Sequence, residues 1–307
     1  MTGASPINPL AAFQGERGRL FGIAYRMLGS VSEAEDVLQD AWLRWQAVDL
    51  ATVENPSAFL MRTVTRLCID TLGAARNRLT DYVGPWLPEP LIQTEDHPES
   101  IRLREDDVST AFLLLLEKLN PVERAVFLLR ESFDLSYKEI AEAIGKSEEN
   151  CRQIDRRAHL RLDREGRPRQ ASPEEHDRLL FGFLQASREG NLQGMIDLLA
   201  RDAVCYSDGG GKVHAAKVPL KGAERVAKFI QGLQNKAQIP FEIRLGPVNG
   251  RTAMLVYTEG RLIDVATFHI EGGLIQEIFI QVNPEKLIPF PLSPALSPAP
   301  GERESQD

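Results

Sequence analysis

The chain of 307 residues is predicted to be multidomain, with two all-α domains followed by an α+β domain. Three observations predict it. Apolar residues recur at helical spacing behind capping residues through the first half. Two stretches rich in proline or polar residues interrupt that pattern. After residue 174 the pattern changes to one helix and then a series of strand-like runs. The expected divisions are a helical domain over 10–80, a Pro-rich linker over 81–105, a second helical domain over 106–166, an α+β domain over 174–288, and a disordered tail over 289–307.

The first helical domain rests on two segments. In "SVSEAEDVLQDAWLRWQ", Ser32 and Glu35 have the spacing of a capping box. Ala34, Val37, Leu38, Ala41, Trp42 and Trp45 follow on one apolar face, with an acidic face opposite. In "ENPSAFLMRTVTRLCIDTLGAARNR", Asn55 is the expected N-cap and Pro56 opens the first turn. Phe59, Leu60, Val64, Leu67, Cys68 and Leu72 form its buried stripe, while Arg62, Arg66, Arg76 and Arg78 project elsewhere. The linker "DYVGPWLPEPLIQTEDHPES" has prolines at 85, 88, 90 and 98, which forbid regular helix. It also holds Trp86, Leu87 and Leu91, apolar groups with no core of their own, so docking on another part of the molecule is expected.

Helical periodicity resumes near Asp106, and Asn120-Pro121 caps the next helix. In "SYKEIAEAIGKSEENCRQIDRRAHLRL", Ser136 and Glu139 form a capping box, Gly145 ends one short helix and Ser147 caps another. Two short helices across a tight glycine turn make a helix-turn-helix. Its second helix buries Cys151, Ile154 and Ala158 and exposes Glu149, Asn150, Arg152, Gln153, Arg156 and Arg157. Exposed Arg, Gln and Asn are the side chains that reading base edges and phosphates requires.

The last domain reads as one helix, "DRLLFGFLQASREGNLQGMIDLLA", and then the strands "AVCYS", "FEIRLG", "TAMLVYTEG", "RLIDVATFHI" and "LIQEIFIQV" in a curved antiparallel sheet. Gly272-Gly273 marks the final hairpin. The tail "PFPLSPALSPAPGERESQD" has no periodic apolar face, and disorder is expected.

Composition narrows the function. The net charge of −8 argues against a protein that holds DNA alone by bulk electrostatics. Nucleic-acid contacts must come from local basic patches or from help by a partner. Cys68, Cys151 and Cys205 are far apart, so neither a metal motif nor a disulfide framework is expected, and a reducing cytoplasm fits. No apolar run is long enough to span a membrane and no secretory signal is evident. No cofactor is expected.

The run "SDGGGKV" looks at first like a phosphate cradle. A Walker loop needs a glycine where Tyr206 stands and a Ser or Thr where Val213 stands. The segment is read as a turn whose backbone and Lys212 meet another domain. Tyr206, Asp208, His214, Asp264 and His269 are the residues that could line a pocket in the α+β domain. No catalytic residue is assigned.

Residues 10–166 resemble an extracytoplasmic-function (ECF) sigma factor, on "YRMLGSVSEAEDVLQDAWLRW", "NPSAFLMRTVTRLCIDTLGAARNR" and "FLLLLEKLNPVERAVFLLRESFDLSYKEIAEAIGKSEENCRQIDRRAHLRL". "WLPEP", "DGGGKV" and "NPEKL" resemble marks of the SigJ-type subgroup, which carries a SnoaL-like C-terminal extension with a cone-shaped α+β barrel. The resemblance implies core RNA polymerase and promoter DNA as partners. Asp36, Gln39 and Asp40 would face the polymerase. Arg62, Arg66, Arg76 and Arg78 would meet the −10 element, and Asn150, Arg152, Gln153, Arg156 and Arg157 the −35 element. Trp86, Leu87, Asp208, Gly209, Gly210, Gly211, Lys212, Asn283 and Pro284 would make regulatory contacts between domains, with room for a small-molecule ligand in the extension. Two other readings stay open at this point. One is a one-component helix-turn-helix repressor with a ligand-binding domain, and the other a SnoaL-like enzyme fused to a DNA-binding module.

Overall fold

The computed structural model describes residues 8–75, 82–92, 108–166, 168–169, 171–236 and 240–287. Arg76, Arg78 and the proline-rich tail lie outside the described residues.

Three long helices open the chain: α1 (Pro9–Leu28), α2 (Val31–Gln46) and α3 (Pro56–Ala75). Gly29 ends α1 at φ 66°, a backbone that favours glycine. The N-cap of α2 is Ser30, which accepts from Glu33 N at 3.1 Å, so the expected box on Ser32 and Glu35 does not form. Two longer-range partners displace it. Glu35 is drawn to Arg17 of α1 at 2.6 Å, and the first amides of α2 bond to Glu89 of the linker.

Among the described residues, the helices after the linker are α4 (Thr110–Leu116), α5 (Pro121–Glu131), α6 (Tyr137–Ile144) and α7 (Glu148–Glu165). Capping boxes close on Asn120 with Glu123 and on Ser136 with Glu139. Gly145 turns α6 into α7 at φ 70°, giving the helix-turn-helix. These described helices share one core running from Phe13 to Leu162. Arg124 of α5 strengthens that union by donating to Met27 O of α1 at 2.6 Å. The two helical regions, separated in the sequence by the linker, thus pack against each other.

The C-terminal domain starts with α8 (Pro173–Arg188) and α9 (Leu192–Leu198). The single helix expected there is broken at Gly190, which takes φ 67°. A further helix, α10 (Ala223–Lys236), was not anticipated, although its Val226 and Ala227 are fully buried. The strands are β1 (Leu199–Asp208), β2 (Leu220–Lys221), β3 (Glu242–Val248), β4 (Arg251–Thr258), β5 (Arg261–Glu271) and β6 (Leu274–Gln281). They form one sheet in the order β2-β1-β6-β5-β4-β3. The expected antiparallel pattern holds except between β1 and β6, which run parallel, because the β3–β6 meander brings its last strand back beside β1. Gly272 and Gly273 make the β5–β6 turn, at φ 62° and 77°.

Alternation along β6 gives the sheet two working faces. Ile278 and Ile280 join the core beneath α8 and α10. Phe279 points the other way, against Leu87 of the linker and Ala111 of α4.

Candidate functional site

The linker is seated in a groove between α1, the start of α2 and the outer face of the sheet. Proline keeps it extended from Trp86 to Leu91, and an extended backbone has unpaired amides and carbonyls that need partners. Asp208, at the end of β1 and fully buried, supplies the main one. Its carboxylate accepts from Tyr82 Oη at 2.6 Å, Leu87 N at 2.9 Å, Gly210 N at 3.0 Å and Gln281 Nε2 at 3.3 Å. Lys286 pairs with it at 2.8 Å and also donates to Leu87 O at 2.7 Å. The Lys286 ammonium lies 4.6 Å from the Trp86 ring and 4.9 Å from the Tyr82 ring. Burial pulls the Lys286 pKa down, and the Asp208 charge opposes that. A buried ion pair keeps its charges only where further hydrogen bonds complete it, as they do here.

Two more contacts complete the seat. Glu89 caps α2 from outside: Oε2 accepts from Val31 N at 2.8 Å and Ser32 N at 3.0 Å, and Oε1 from the hydroxyls of Ser30 and Ser32. An anion at a helix N-terminus also meets the favourable end of the macrodipole. Asn249, in the β3–β4 turn at φ 53°, accepts from Leu91 N at 2.7 Å and Tyr25 Oη at 3.2 Å and donates to Val108 O at 2.9 Å. One buried amide thus joins α1, the linker, the entry to α4 and the sheet. Glu89, Asn249 and Lys286 were missed in the sequence. Glu89 and Lys286 lie inside "WLPEP" and "NPEKL" and could have been found there, whereas a lone turn asparagine gives no signal.

The expected regulatory residues fall around this seat. Trp86 packs so closely on Gly29 that a Cβ there would lie 2.9 Å from its ring. Gly210 and Gly211 take positive φ, at 58° and 72°, whereas Gly209 does not. A Cβ on Gly211 would meet Val83 of the linker at 3.1 Å. Asn283 donates to Tyr82 Oη at 3.1 Å, and Pro284 follows it in the turn. Lys212 differs from expectation: it pairs with Glu285 of its own domain, because the glycine turn and the "NPEKL" loop lie side by side. The residues expected to line a pocket scatter. Asp208 belongs to the seat, Tyr206 and His269 line a cleft below the linker, His214 is exposed, and Asp264 lines a separate cavity.

The helices expected to read DNA stand in contact. Arg66 of α3 donates from Nε to Ala143 O of α6 at 2.9 Å, within the helix-turn-helix. Arg62 is half-buried and its guanidinium lies 5.4 Å from the Phe59 ring. Asn150, Arg152, Gln153, Arg156 and Arg157 are exposed on α7. Arg152 and Gln153 bond to Glu148 and Glu149 on the same helix, at 2.9 Å and 3.2 Å. Asp36, Gln39 and Asp40 are exposed on α2, and Leu43 extends the same face at 56% exposure. Leu43 lies outside the set expected from the sequence.

Comparison with known proteins agrees with these features. Residues 12–78 match the Sigma-70 region 2 family and residues 109–162 the Sigma-70 region 4 family. The chain is 33% identical to the ECF RNA polymerase sigma factor SigJ of Mycobacterium tuberculosis, over 73% of this chain and 72% of that one. It is 30% identical to the probable ECF sigma factor SigI of the same species, over 91% of this chain and 95% of that one. The crystal structure of M. tuberculosis SigJ superposes with a TM-score of 0.74 at 28% identity, covering 92% of this chain and 99% of the other. With its two sigma regions, its helix-turn-helix and relatives matched across both helical and sheet domains, the chain belongs to the extracytoplasmic-function sigma factors, which direct core RNA polymerase to promoters.

Proposed function

We propose that the C-terminal domain controls this sigma factor by holding its two DNA readers together through the seated linker. The contact of Arg66 with Ala143 carries the reading. Promoter elements centred at −10 and −35 lie about 25 base pairs apart, roughly 85 Å of B-DNA at 3.4 Å per base pair. Helices that touch cannot occupy both elements at once. The free protein is therefore closed, and promoter binding requires α3 and the helix-turn-helix to part. Asp208, Asn249 and Lys286 hold the linker that must move for this to happen. The C-terminal domain is read as a regulator, without a catalytic step.

On the readers, α3 with Arg62 and Arg66 serves the −10 element. Asn150, Arg152, Gln153, Arg156 and Arg157 serve the −35 element. Arg152 and Gln153 would exchange their glutamate partners for DNA. Changing either to alanine is expected to shift the preference among −35 variants by roughly 1–3 kcal/mol per lost contact, with polymerase affinity unchanged. Competition binding of the assembled holoenzyme to promoter variants checks this, and wild-type ranking in both variants would remove α7 from base reading.

On α2, Asp36, Gln39, Asp40 and Leu43 form one exposed stripe at helical spacing, suited to docking on the polymerase. Leu43→Asp is expected to weaken core polymerase binding by roughly ten-fold or more, as expected for an apolar anchor at an interface centre, without changing the thermal midpoint. Titration of labelled protein with core enzyme measures it. Equal affinity for both proteins would place the polymerase surface elsewhere.

A further inference from the structure

A cavity of about 420 Å³ lies on the inner face of the sheet, beneath α8 and α10. Its walls are apolar, among them Phe183, Ile230, Met254, Phe268 and Ile278. The mouth is apolar as well: Leu233, Phe241 and Ile263 line it and remain 45%, 40% and 41% exposed. One acidic side chain, Asp264 of β5, enters this lining, and no Lys, Arg or His of the described residues joins it. Its Oδ1 is shielded from solvent and has no hydrogen-bond partner among the described residues.

That arrangement is unfavourable for an ionised carboxylate. A carboxyl in an apolar environment loses hydration and gains nothing in return. Burial alone pushes the Asp264 pKa up to about 7, so near neutral pH much of the group is protonated and able to donate. Ser187 and Gln234 also reach the lining, but Gln234 already donates to Ser187 at 2.6 Å. Thr258 lines the cavity too, but among these polar side chains Asp264 alone has a solvent-shielded atom without a partner among the described residues.

We propose that this cavity is a binding site for a neutral, largely apolar small molecule whose single hydroxyl or carbonyl oxygen bonds to Asp264. The volume falls in the range of pockets that enclose small organic ligands, and predominantly apolar walls with a few polar groups are the usual composition of such sites. A neutral ligand is favoured over an amine because a cation would have to shed its own hydration inside apolar walls, with one carboxylate to compensate. The site lies behind the linker seat. Ile278 and Ile280 line the cavity, and between and beyond them on the other face of β6 stand Phe279, against Leu87, and Gln281, bonded to Asp208. Binding itself does not depend on the regulatory reading, so either can fail alone.

Calorimetric titration of the full-length protein with 2-naphthol tests the site, with 2-methylnaphthalene and 2-naphthylmethylamine as the apolar and cationic comparisons. Saturable binding of one naphthol is expected, roughly ten-fold tighter than methylnaphthalene, the scale of one buried hydrogen bond. Asp264→Leu should erase that preference while melting at or above the wild-type temperature, and Asp264→Asn should retain it. Val256→Trp, which fills the cavity, should abolish binding. If that variant does not fold, the two Asp264 variants decide. The proposal is overturned if naphthol does not bind, if Asp264→Leu keeps the preference, if a folded Val256→Trp still binds, or if the amine binds more tightly than the naphthol.

Discussion

Replacing Asp208 by alanine is expected to destabilise the seated linker by about 3–5 kcal/mol, the loss typical when one partner of a buried ion pair is removed. The substitution leaves Lys286 buried without its counter-charge and takes the acceptor from Tyr82, Leu87 and Gln281. About 3 kcal/mol shifts a two-state equilibrium by more than a hundred-fold. Amide exchange at Leu87 and Leu91 should therefore accelerate by that order in Asp208→Ala. The free protein should also bind promoter DNA more readily than wild type. Unchanged exchange at those amides would mean that the linker is held by something other than Asp208.

Gly210→Val is expected to act on the same seat from the other side. Gly210 sits at φ 58°, and any Cβ there would overlap the side-chain amide of Asn283. A β-branched residue resists that backbone, at about 1–3 kcal/mol for a strained conformation. Moving Asn283 also takes its hydrogen bond from Tyr82. Run-off transcription should depart clearly from wild type, while circular dichroism of the helices stays the same, because α6 and α7 lie outside the affected contacts. Wild-type transcription by a folded Gly210→Val protein would detach the glycine turn from regulation.

The helical half of the fold was legible in the sequence because its signals are local. Asn120 with Pro121, Ser136 with Glu139, and Gly145 each fix a helix end within a few residues, and the structure places those ends there. At the start of α2 a distant group takes over: Glu89 accepts from Ser32 N, the amide that Glu35 was expected to serve. In the C-terminal domain, α10 was passed over between two strand-like runs, and the parallel β1–β6 pair depends on topology that no local pattern encodes. For the linker seat, the sequence showed that Trp86 and Leu87 needed a dock. It did not show the Asp208–Lys286 pair or Asn249, since a buried polar network is defined by groups far apart in the chain. The shared core of the two helical regions was invisible for the same reason, as either region alone has the same apolar stripes.

On the proposed reading, the free protein is closed and opens on the polymerase. The distance between α3 and the helix-turn-helix in solution tests it most directly. Spin labels at Asp70→Cys and Lys146→Cys would report it, both positions being exposed while Cys68, Cys151 and Cys205 are buried. A short separation is expected in the free protein, set by the contact of Arg66 with Ala143, and a separation of many tens of Å on promoter DNA with core polymerase, toward the roughly 85 Å between the two elements. A long separation in the free protein, or a short one retained in the promoter complex, would contradict the account.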